Sequence, residues 1–164
     1  MAHDALIALA ADVGRLLQAR GLVLATAESC TGGGVAQAIT EIPGSSAWFD
    51  RGYVTYSNAS KTALLDVPDT LLAQYGAVSN ETAAAMSLGA LRNSDATVTL
   101  STTGIAGPDG GTPDKPVGTV CFGWAHDGAV HTARLRFDGD RHAVRAQTVE
   151  HALRGLLVFL GRAE

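Results

Sequence analysis

The spacing of apolar side chains along the chain predicts alternating helices and strands. Residues 4–20 carry leucine and valine at helical spacing, and Gly21 follows as a typical helix C-terminal residue. Apolar runs at 22–27, 53–56 and 96–102 predict strands, because aliphatic and β-branched residues dominate them. Further helices are predicted at 35–40, from Asn58 as N-cap to Leu65, after Pro68, at 81–92 behind Ser79 or Asn80, and from about Asp140 to Leu160.

Two later strands form a predicted hairpin. Residues 119–125 and 130–137 are joined by Asp127-Gly128, a strong signal for a tight turn. The predicted elements follow one another in the order α-β-α-β-α-α-α-β-β-β-α. Helical crossovers in the first part favour parallel pairing, and the hairpin adds an antiparallel pair. The sequence thus predicts a three-layer α/β fold (αβα) with a mixed, largely parallel sheet, as a single domain over residues 1–164.

Composition and charge narrow the classes of function. Hydrophobic residues make up 46% of the chain and charged residues 17%, which is typical of a globular domain. The net charge of −4 argues against nucleic acid as a partner, although a few local arginines suffice for a small anion. The N-terminus does not resemble a secretion signal and no apolar run is long enough to span a membrane, so we expect a cytoplasmic protein. Cys30 and Cys121 lack metal-ligand spacing, so we expect no bound metal. We also expect no cofactor.

The first candidate for chemistry is the segment 27–33, which joins a predicted strand to a predicted helix. Ser29 or Thr31 is either an ordinary N-cap or, in the case of Ser29, a nucleophile beside a helix N-terminus that favours developing negative charge. Gly32 and Gly33 let the backbone approach a ligand closely. Cys30 is a rival nucleophile, because a helix N-terminus favours a thiolate.

The second candidate spans Tyr56, which closes a predicted strand, Asn58 and Lys61. Lys61 is either an exposed surface lysine or a general base turned toward Ser29. A lysine acts as a base near neutral pH only if its pKa, ordinarily about 10.4, is lowered by burial or by neighbouring cations.

The third candidate is the Gly- and Pro-rich stretch 104–118, which follows a strand ending in hydroxyl residues. It is either a long turn or a ligand-binding loop, and long loops without secondary structure are usually functional. Thr103 suits a proton relay or the positioning of a carbonyl, and Lys115 is a ligand contact or an exposed loop charge. The stretch lacks the Gly-Lys-Ser/Thr ending of a nucleoside triphosphatase loop.

The fourth candidate opens the last helix. Asp140 is the predicted N-cap, and Arg141 and Arg145 share one helix face because they are four residues apart. Two arginines in the first turns oppose the helix dipole. A bound phosphate or carboxylate explains them, as do salt bridges to acidic side chains.

In this order, these segments resemble the CinA C-terminal domain family, and the resemblance covers nearly the whole chain. Each motif is modest alone, whereas together they are specific. The residues that carry the resemblance are Ala27-Glu28-Ser29-Cys30-Thr31-Gly32-Gly33, Gly44-Ser45-Ser46, Val54-Thr55-Tyr56-Ser57-Asn58 with Lys61, Gly76-Ala77-Val78-Ser79, Gly104-Ile105-Ala106-Gly107-Pro108-Asp109-Gly110-Gly111, Lys115-Pro116-Val117-Gly118-Thr119-Val120, and Gly139-Asp140-Arg141 with Arg145.

The resemblance implies an α/β amidohydrolase without metal that converts nicotinamide mononucleotide to nicotinate mononucleotide and ammonia, in pyridine nucleotide (NAD) salvage. It implies Ser29 as nucleophile, Lys61 as base, Thr103 as the hydroxyl residue that completes the catalytic set, and a homodimer. Candidate substrate contacts are Thr31, Gly32, Gly33, Tyr56, Asn58, Gly104, Ala106, Gly107, Arg141 and Arg145. The alternatives are a non-catalytic nucleotide-binding or regulatory module and a hydrolase or phosphatase for another nucleotide; the acidic charge balance argues against a DNA-associated protein.

Overall fold

The computed structural model describes residues 3–161, and its element order is the predicted one. A 3₁₀ turn, Ser45–Ala47, precedes the second strand. The helices and strands are α1 (His3–Arg20), β1 (Leu24–Glu28), α2 (Gly34–Thr40), β2 (Phe49–Val54), α3 (Asn58–Leu65), α4 (Asp69–Tyr75), α5 (Asn80–Arg92), β3 (Val98–Gly104), β4 (Thr119–His126), β5 (Ala129–Arg136) and α6 (Arg141–Gly161).

Five strands form one mixed sheet in the order β2-β1-β3-β4-β5. β1 pairs in parallel with β2 and with β3, whereas β3, β4 and β5 pair in antiparallel fashion. Helices α1, α2 and α6 pack together on one face, and α3, α4 and α5 pack together on the other. The predicted three-layer α/β fold with a mixed sheet is confirmed.

The three parallel strands end at the same edge of the sheet. Glu28, the last residue of β1, lies opposite Val54 at the end of β2 and Thr102 near the end of β3. The segments that follow these strands therefore start side by side. In open α/β sheets this edge is where ligands bind.

Some predicted boundaries were wrong, and the second strand shows why. β2 runs over Phe49–Val54 rather than 53–56, so Tyr56 lies beyond its end. Its polar middle conceals the strand from a search for apolar runs, because β2 is an edge strand with exposed positions. The N-cap of α3 is Ser57, in a reciprocal capping box with Ser60, and Asn58 is the first helical residue.

Other local predictions are confirmed. Asp127 and Gly128 both have positive φ, 51° and 78°, as a two-residue hairpin turn of this type requires. Ser79 caps α5 by accepting from the Thr82 N–H, and Asp140 accepts from the Ala143 N–H at the start of α6. Within residues 3–161, no helix combines the length and the apolar character needed to cross a membrane.

Candidate active site

A cavity of about 260 Å³ opens at the edge where the parallel strands end. Its wall combines the segments after β1 and β2, the α4–α5 turn, the loop after β3 and the start of α6. The lining residues are Ser29, Cys30, Tyr56, Asn58, Lys61, Ala77, Val78, Thr103, Gly104, Ile105, Ala106, Gly107, Asp109, Gly110 and Arg141.

Ser29 and Lys61 meet inside this cavity. The Lys61 Nζ lies 3.2 Å from the Ser29 Oγ and donates to the Thr55 carbonyl at 3.1 Å. Lys61 is only 1% exposed, so the interpretation as a surface lysine is wrong. The pair forms because β1 delivers Ser29 at its end, while the capped first turn of α3 points Lys61 inward.

Burial lowers the pKa of Lys61, and a negative charge on Cys30 would raise it. The dominant effect is removal of the ammonium from water, which favours the neutral amine. A neutral amine within hydrogen-bond distance of a serine hydroxyl can accept its proton. The geometry therefore has the two parts of a nucleophile–base pair.

The neighbouring thiol is unsuited to be the nucleophile. Burial raises the pKa of Cys30 to about 12, and the negative charge of Glu28 acts in the same direction. The thiol therefore stays protonated at neutral pH, and a protonated thiol is a poor nucleophile. Of the two rivals in this segment, the structure favours Ser29.

The prediction that Ser29 or Thr31 caps α2 is wrong, because Glu28 has that role. The Val35 and Ala36 N–H groups donate to its carboxylate at 2.9 and 3.0 Å, while Gly33 occupies the N-cap position with φ 98°. Glu28 is fully buried. The Glu28 carboxylate thus occupies the N-terminus of α2. The sequence had instead predicted that this helix end stabilises negative charge developing at Ser29.

Thr31 belongs to the same buried network and lies outside the cavity. Its hydroxyl donates to Glu28 Oε1 at 2.5 Å and lies 2.8 Å from the hydroxyl of Thr102. Gly32 and Gly33 also do not line the cavity. The structure therefore separates these three predicted substrate contacts from the residues that face the opening.

Thr103 faces the cavity with its hydroxyl oriented by the neighbouring turn. The hydroxyl donates to the Ala77 carbonyl at 2.7 Å, so its lone pairs stay available to accept a hydrogen bond. Gly104 follows where a Cβ would lie 2.7 Å from a Val120 methyl group and 2.9 Å from the Thr119 carbonyl. Only glycine lets the loop leave the sheet at this point without displacing β4.

The two arginines of α6 have different surroundings. Arg141 lines the cavity and donates to the Gly107 carbonyl at 2.9 Å and to the Tyr56 hydroxyl at 3.0 Å. Arg145 lies outside the cavity and donates to the carbonyls of Cys30 and Thr31. Within the described part of the chain neither arginine forms a salt bridge, so that explanation of the pair is wrong.

Sequence reasoning missed part of the site. Ala77 and Val78 line the cavity from a short turn, and their apolar side chains give no sequence signal for a functional site. Glu28 did give a signal, because a carboxylate at the end of a buried strand requires a hydrogen-bond partner. Lys115, a possible ligand contact, lies outside the cavity, and its Nζ donates to the Tyr75 carbonyl at 2.8 Å.

A buried serine–lysine pair at the edge where parallel strands end defines an α/β domain equipped for nucleophilic chemistry. The chain belongs to the CinA family: the model of the CinA C-terminal domain matches residues 6–160. This confirms the resemblance seen in the sequence.

Individual relatives are similar over nearly their whole length. The nicotinamide-nucleotide amidohydrolase PncC of Pseudomonas putida is 54% identical over 94% of this chain and 96% of its own. The protein of the same name from Escherichia coli K12 is 51% identical over 95% of each chain. Among solved structures, the competence/damage inducible protein CihA from Agrobacterium tumefaciens superposes with a TM-score of 0.91 at 44% identity, over 95% of each chain.

Proposed function

We propose that the protein hydrolyses the carboxamide of nicotinamide mononucleotide to nicotinate mononucleotide and ammonia, by a serine–lysine mechanism. The observation that carries the proposal is the buried Lys61 Nζ at 3.2 Å from the Ser29 Oγ. The predicted enzyme class, an amidohydrolase, is confirmed by relatives of that name at 51% to 54% identity. The nucleotide in their name supports the choice of substrate.

In this mechanism Lys61 takes the hydroxyl proton as the Ser29 Oγ attacks the carboxamide carbon. The resulting oxyanion accepts hydrogen bonds from backbone N–H groups near Ser29 or Gly104. The leaving nitrogen gains the proton that Lys61 took from Ser29 and departs as ammonia, which leaves an ester between the acyl group and Ser29 and a neutral Lys61. Water then attacks that ester, Lys61 accepts the water's proton, and the serine oxygen is reprotonated as the acid leaves.

Thr103 has a defined part in this scheme. Because its hydroxyl donates to Ala77, its free lone pairs accept from the substrate's NH₂ group and orient the carboxamide. In the alternative role of a proton relay, the Thr103 hydroxyl turns away from Ala77 and donates to the leaving nitrogen; Tyr56 is the other hydroxyl at the opening. The pyridinium ring withdraws electrons and makes the attacked carbonyl more electrophilic.

Arg141 is the proposed ligand of the substrate's phosphate. It lies at the mouth of the cavity, and its guanidinium has donors beyond the two that bind Gly107 and Tyr56. Asn58, Gly104, Ala106 and Gly107 complete the proposed substrate contacts along the wall. We further propose that the enzyme acts in the cytoplasm, as a homodimer, in pyridine nucleotide salvage.

Ammonia release from nicotinamide mononucleotide by the purified protein tests the proposal. Ser29→Ala is expected to abolish release while the circular dichroism spectrum stays unchanged, and a chelator is expected to have no effect on the wild type. Release at a near-normal rate by Ser29→Ala would remove Ser29 as nucleophile. Tight binding of the mononucleotide by folded wild type without turnover would instead support a non-catalytic nucleotide-binding module.

A further inference from the structure

The nucleophile segment, residues 29–32, has no regular secondary structure. Its backbone bonds are few: the Ser29 N–H donates to the Thr102 carbonyl at 2.9 Å, the Gly32 N–H donates to the Ser29 carbonyl at 3.1 Å, and the Gly34 N–H donates to the Thr31 carbonyl at 3.0 Å. These bonds fix the two ends of the segment. They leave the carbonyl of Cys30, at its centre, without a backbone partner among the described residues.

Arg145 supplies that missing partner. Its Nε lies 3.0 Å from the Cys30 carbonyl oxygen, and its Nη2 lies 3.4 Å from the Thr31 carbonyl oxygen. One planar guanidinium thus spans two consecutive carbonyls, and its rigid fork fixes their relative direction. Since C=O and N–H point in opposite directions in a trans peptide, the contact with Cys30 also directs the Thr31 N–H away from Arg145.

The glycine of this segment leaves room for the guanidinium. Gly32 has φ +59°, a left-handed conformation that favours glycine, and a Cβ there would lie 3.2 Å from Arg145 Nη2. A side chain at this position would therefore crowd the guanidinium and strain the backbone. The glycine at position 32 therefore fits both the backbone conformation of the segment and the position of the Arg145 guanidinium.

The positive charge of Arg145 also acts beside the nucleophile. Burial raises the pKa of Cys30, and the charges of Arg145 and Lys61 are among the effects that lower it. A charge that favours a thiolate at residue 30 also favours negative charge that develops on the preceding residue, Ser29. Arg141, one turn earlier on α6, instead contacts the wall of the cavity at Gly107.

We propose that Arg145 is a positioning residue, which holds the nucleophile segment from outside the cavity and so keeps Ser29 within reach of Lys61. It does not contact the substrate. The inference rests on the proposed function, in which Ser29 is the nucleophile. It assigns the two arginines of α6 to different steps: Arg141 to substrate binding and Arg145 to the reactivity of Ser29.

A small uncharged probe separates these two roles, because it needs no phosphate site. In the reaction of an arylsulfonyl fluoride, the Ser29 Oγ forms the new S–O bond, Lys61 takes the hydroxyl proton and fluoride leaves. The labelling rate of Ser29, followed by intact mass, is measured alongside kcat and KM for the mononucleotide. The variant is Arg145→Met, and Ser29→Ala shows that the label is on Ser29.

Arg145→Met is expected to lower both kcat and the labelling rate by roughly tenfold or more, with KM changed less than about twofold, because misplacing a reacting group by an ångström has effects of this size. The matched control is Arg154→Met on the same helix, which removes an exposed arginine paired with Glu150 and is expected to change neither rate. Labelling at the wild-type rate together with a raised KM would overturn the inference and make Arg145 a substrate ligand.

Two further outcomes are decided by the same design. If circular dichroism shows that Arg145→Met does not fold, Arg145→Lys takes its place: it keeps the charge with one donor group instead of a fork, so slowed labelling supports the inference and the wild-type rate overturns it. If wild-type Ser29 is neither labelled nor able to release ammonia, the proposed function fails and this inference with it. If Ser29 of the wild type is labelled and folded Arg145→Met is labelled at the same rate, this inference fails while the proposed function stands.

Discussion

The two halves of the sheet bury different kinds of side chain. Where β1, β2 and β3 end in parallel, the molecule buries two ionisable groups, Glu28 at 0% exposure and Lys61 at 1%. Around the antiparallel strand β4 it buries aromatic rings, with Phe122 at 0% and Trp124 at 2%. These side chains are almost equally buried, yet in the first region, the reactive half, they are ionisable, and in the second, the aromatic half, they are apolar.

This difference shows that the region around Lys61 costs stability, whereas the region around Phe122 and Trp124 supplies it. A buried charge is stable only when hydrogen bonds replace its water. The Glu28 carboxylate has such bonds from Thr31, Val35 and Ala36. Within residues 3–161, the hydrogen-bond partners of the Lys61 Nζ are neutral oxygens, and burial destabilises its ammonium form. Apolar burial in the aromatic half stabilises the folded state by about 25 cal/mol per Å², and this offsets the cost of burying the Lys61 amine.

Lys61→Met tests the reactive half and has the largest expected effect. It removes the proposed base while keeping a flexible apolar chain of similar length. We expect kcat for ammonia release to fall by about 10²–10⁴-fold, the usual range for loss of general base catalysis. In the wild type, kcat/KM is expected to rise with pH and level off at a pKa below the ordinary lysine value, as burial of Lys61 requires.

The same substitution should increase thermal stability at neutral pH, because it removes an amine whose protonation is disfavoured in the folded state. The pKa of Lys61 is lower in the folded than in the unfolded chain, so between the two values the unfolded chain binds more protons and wild-type stability rises with pH. The advantage of Lys61→Met should therefore shrink as the pH rises toward about 10.4. An active variant, or one that is less stable at neutral pH, would contradict this account of the reactive half.

Gly155→Ala tests the aromatic half. A Cβ at Gly155 would lie 2.1 Å from a ring carbon of Trp124, which is held in place by a 3.0 Å hydrogen bond from its indole N–H to the Ala152 carbonyl. We expect a loss of about 1–3 kcal/mol in the free energy of unfolding, typical of an overpacked core, with kcat for the folded enzyme little changed. Chemical denaturation of the variant and the wild type measures the change in the free energy of unfolding.

Gly161→Ala is the matched control for this prediction. It makes the same change on the same helix at a glycine whose added Cβ would meet no atom of the described residues within 4 Å. Its free energy of unfolding should equal or slightly exceed that of the wild type, since alanine favours helix more than glycine does. A loss of stability equal to that of Gly155→Ala would show that the effect does not come from Trp124.

The two halves also differ in how far their structure was predictable from sequence. The hairpin of the antiparallel half followed from Asp127-Gly128, because turn chemistry is local. At the reactive edge, Lys61 and Ser29 are 32 positions apart in the chain, and only the parallel register of β1 and β2 brings them together. The family motifs marked them as candidates, whereas residue type alone favoured a surface lysine.

The surroundings of two further positions, Glu28 and Arg145, depend on packing and were not predicted from the sequence. Glu28, rather than a serine or threonine, caps α2 because the chain turns back over the carboxylate. Arg145 shares a helix face with Arg141, yet one turn of α6 is enough to move it from the cavity to the outer side of the nucleophile segment. Helical periodicity gives the direction in which a side chain leaves a helix, and the tertiary structure decides what it meets there.

His151 carries the smallest predicted effect and ties the aromatic half to pH. Its ring lies 4.6 Å from that of Phe122, and burial lowers its pKa while the charge of Glu150 opposes the shift. The unfolded chain therefore binds the proton more readily, so stability is expected to fall as the pH drops below about 6.5 and through the lowered folded pKa.

His151→Phe should reduce the loss of melting temperature between pH 7.5 and pH 5, whereas replacing His142, exposed on the same helix, should leave the loss intact. An equal decline in the wild type and His151→Phe would show that His151 is not the source of the acid sensitivity.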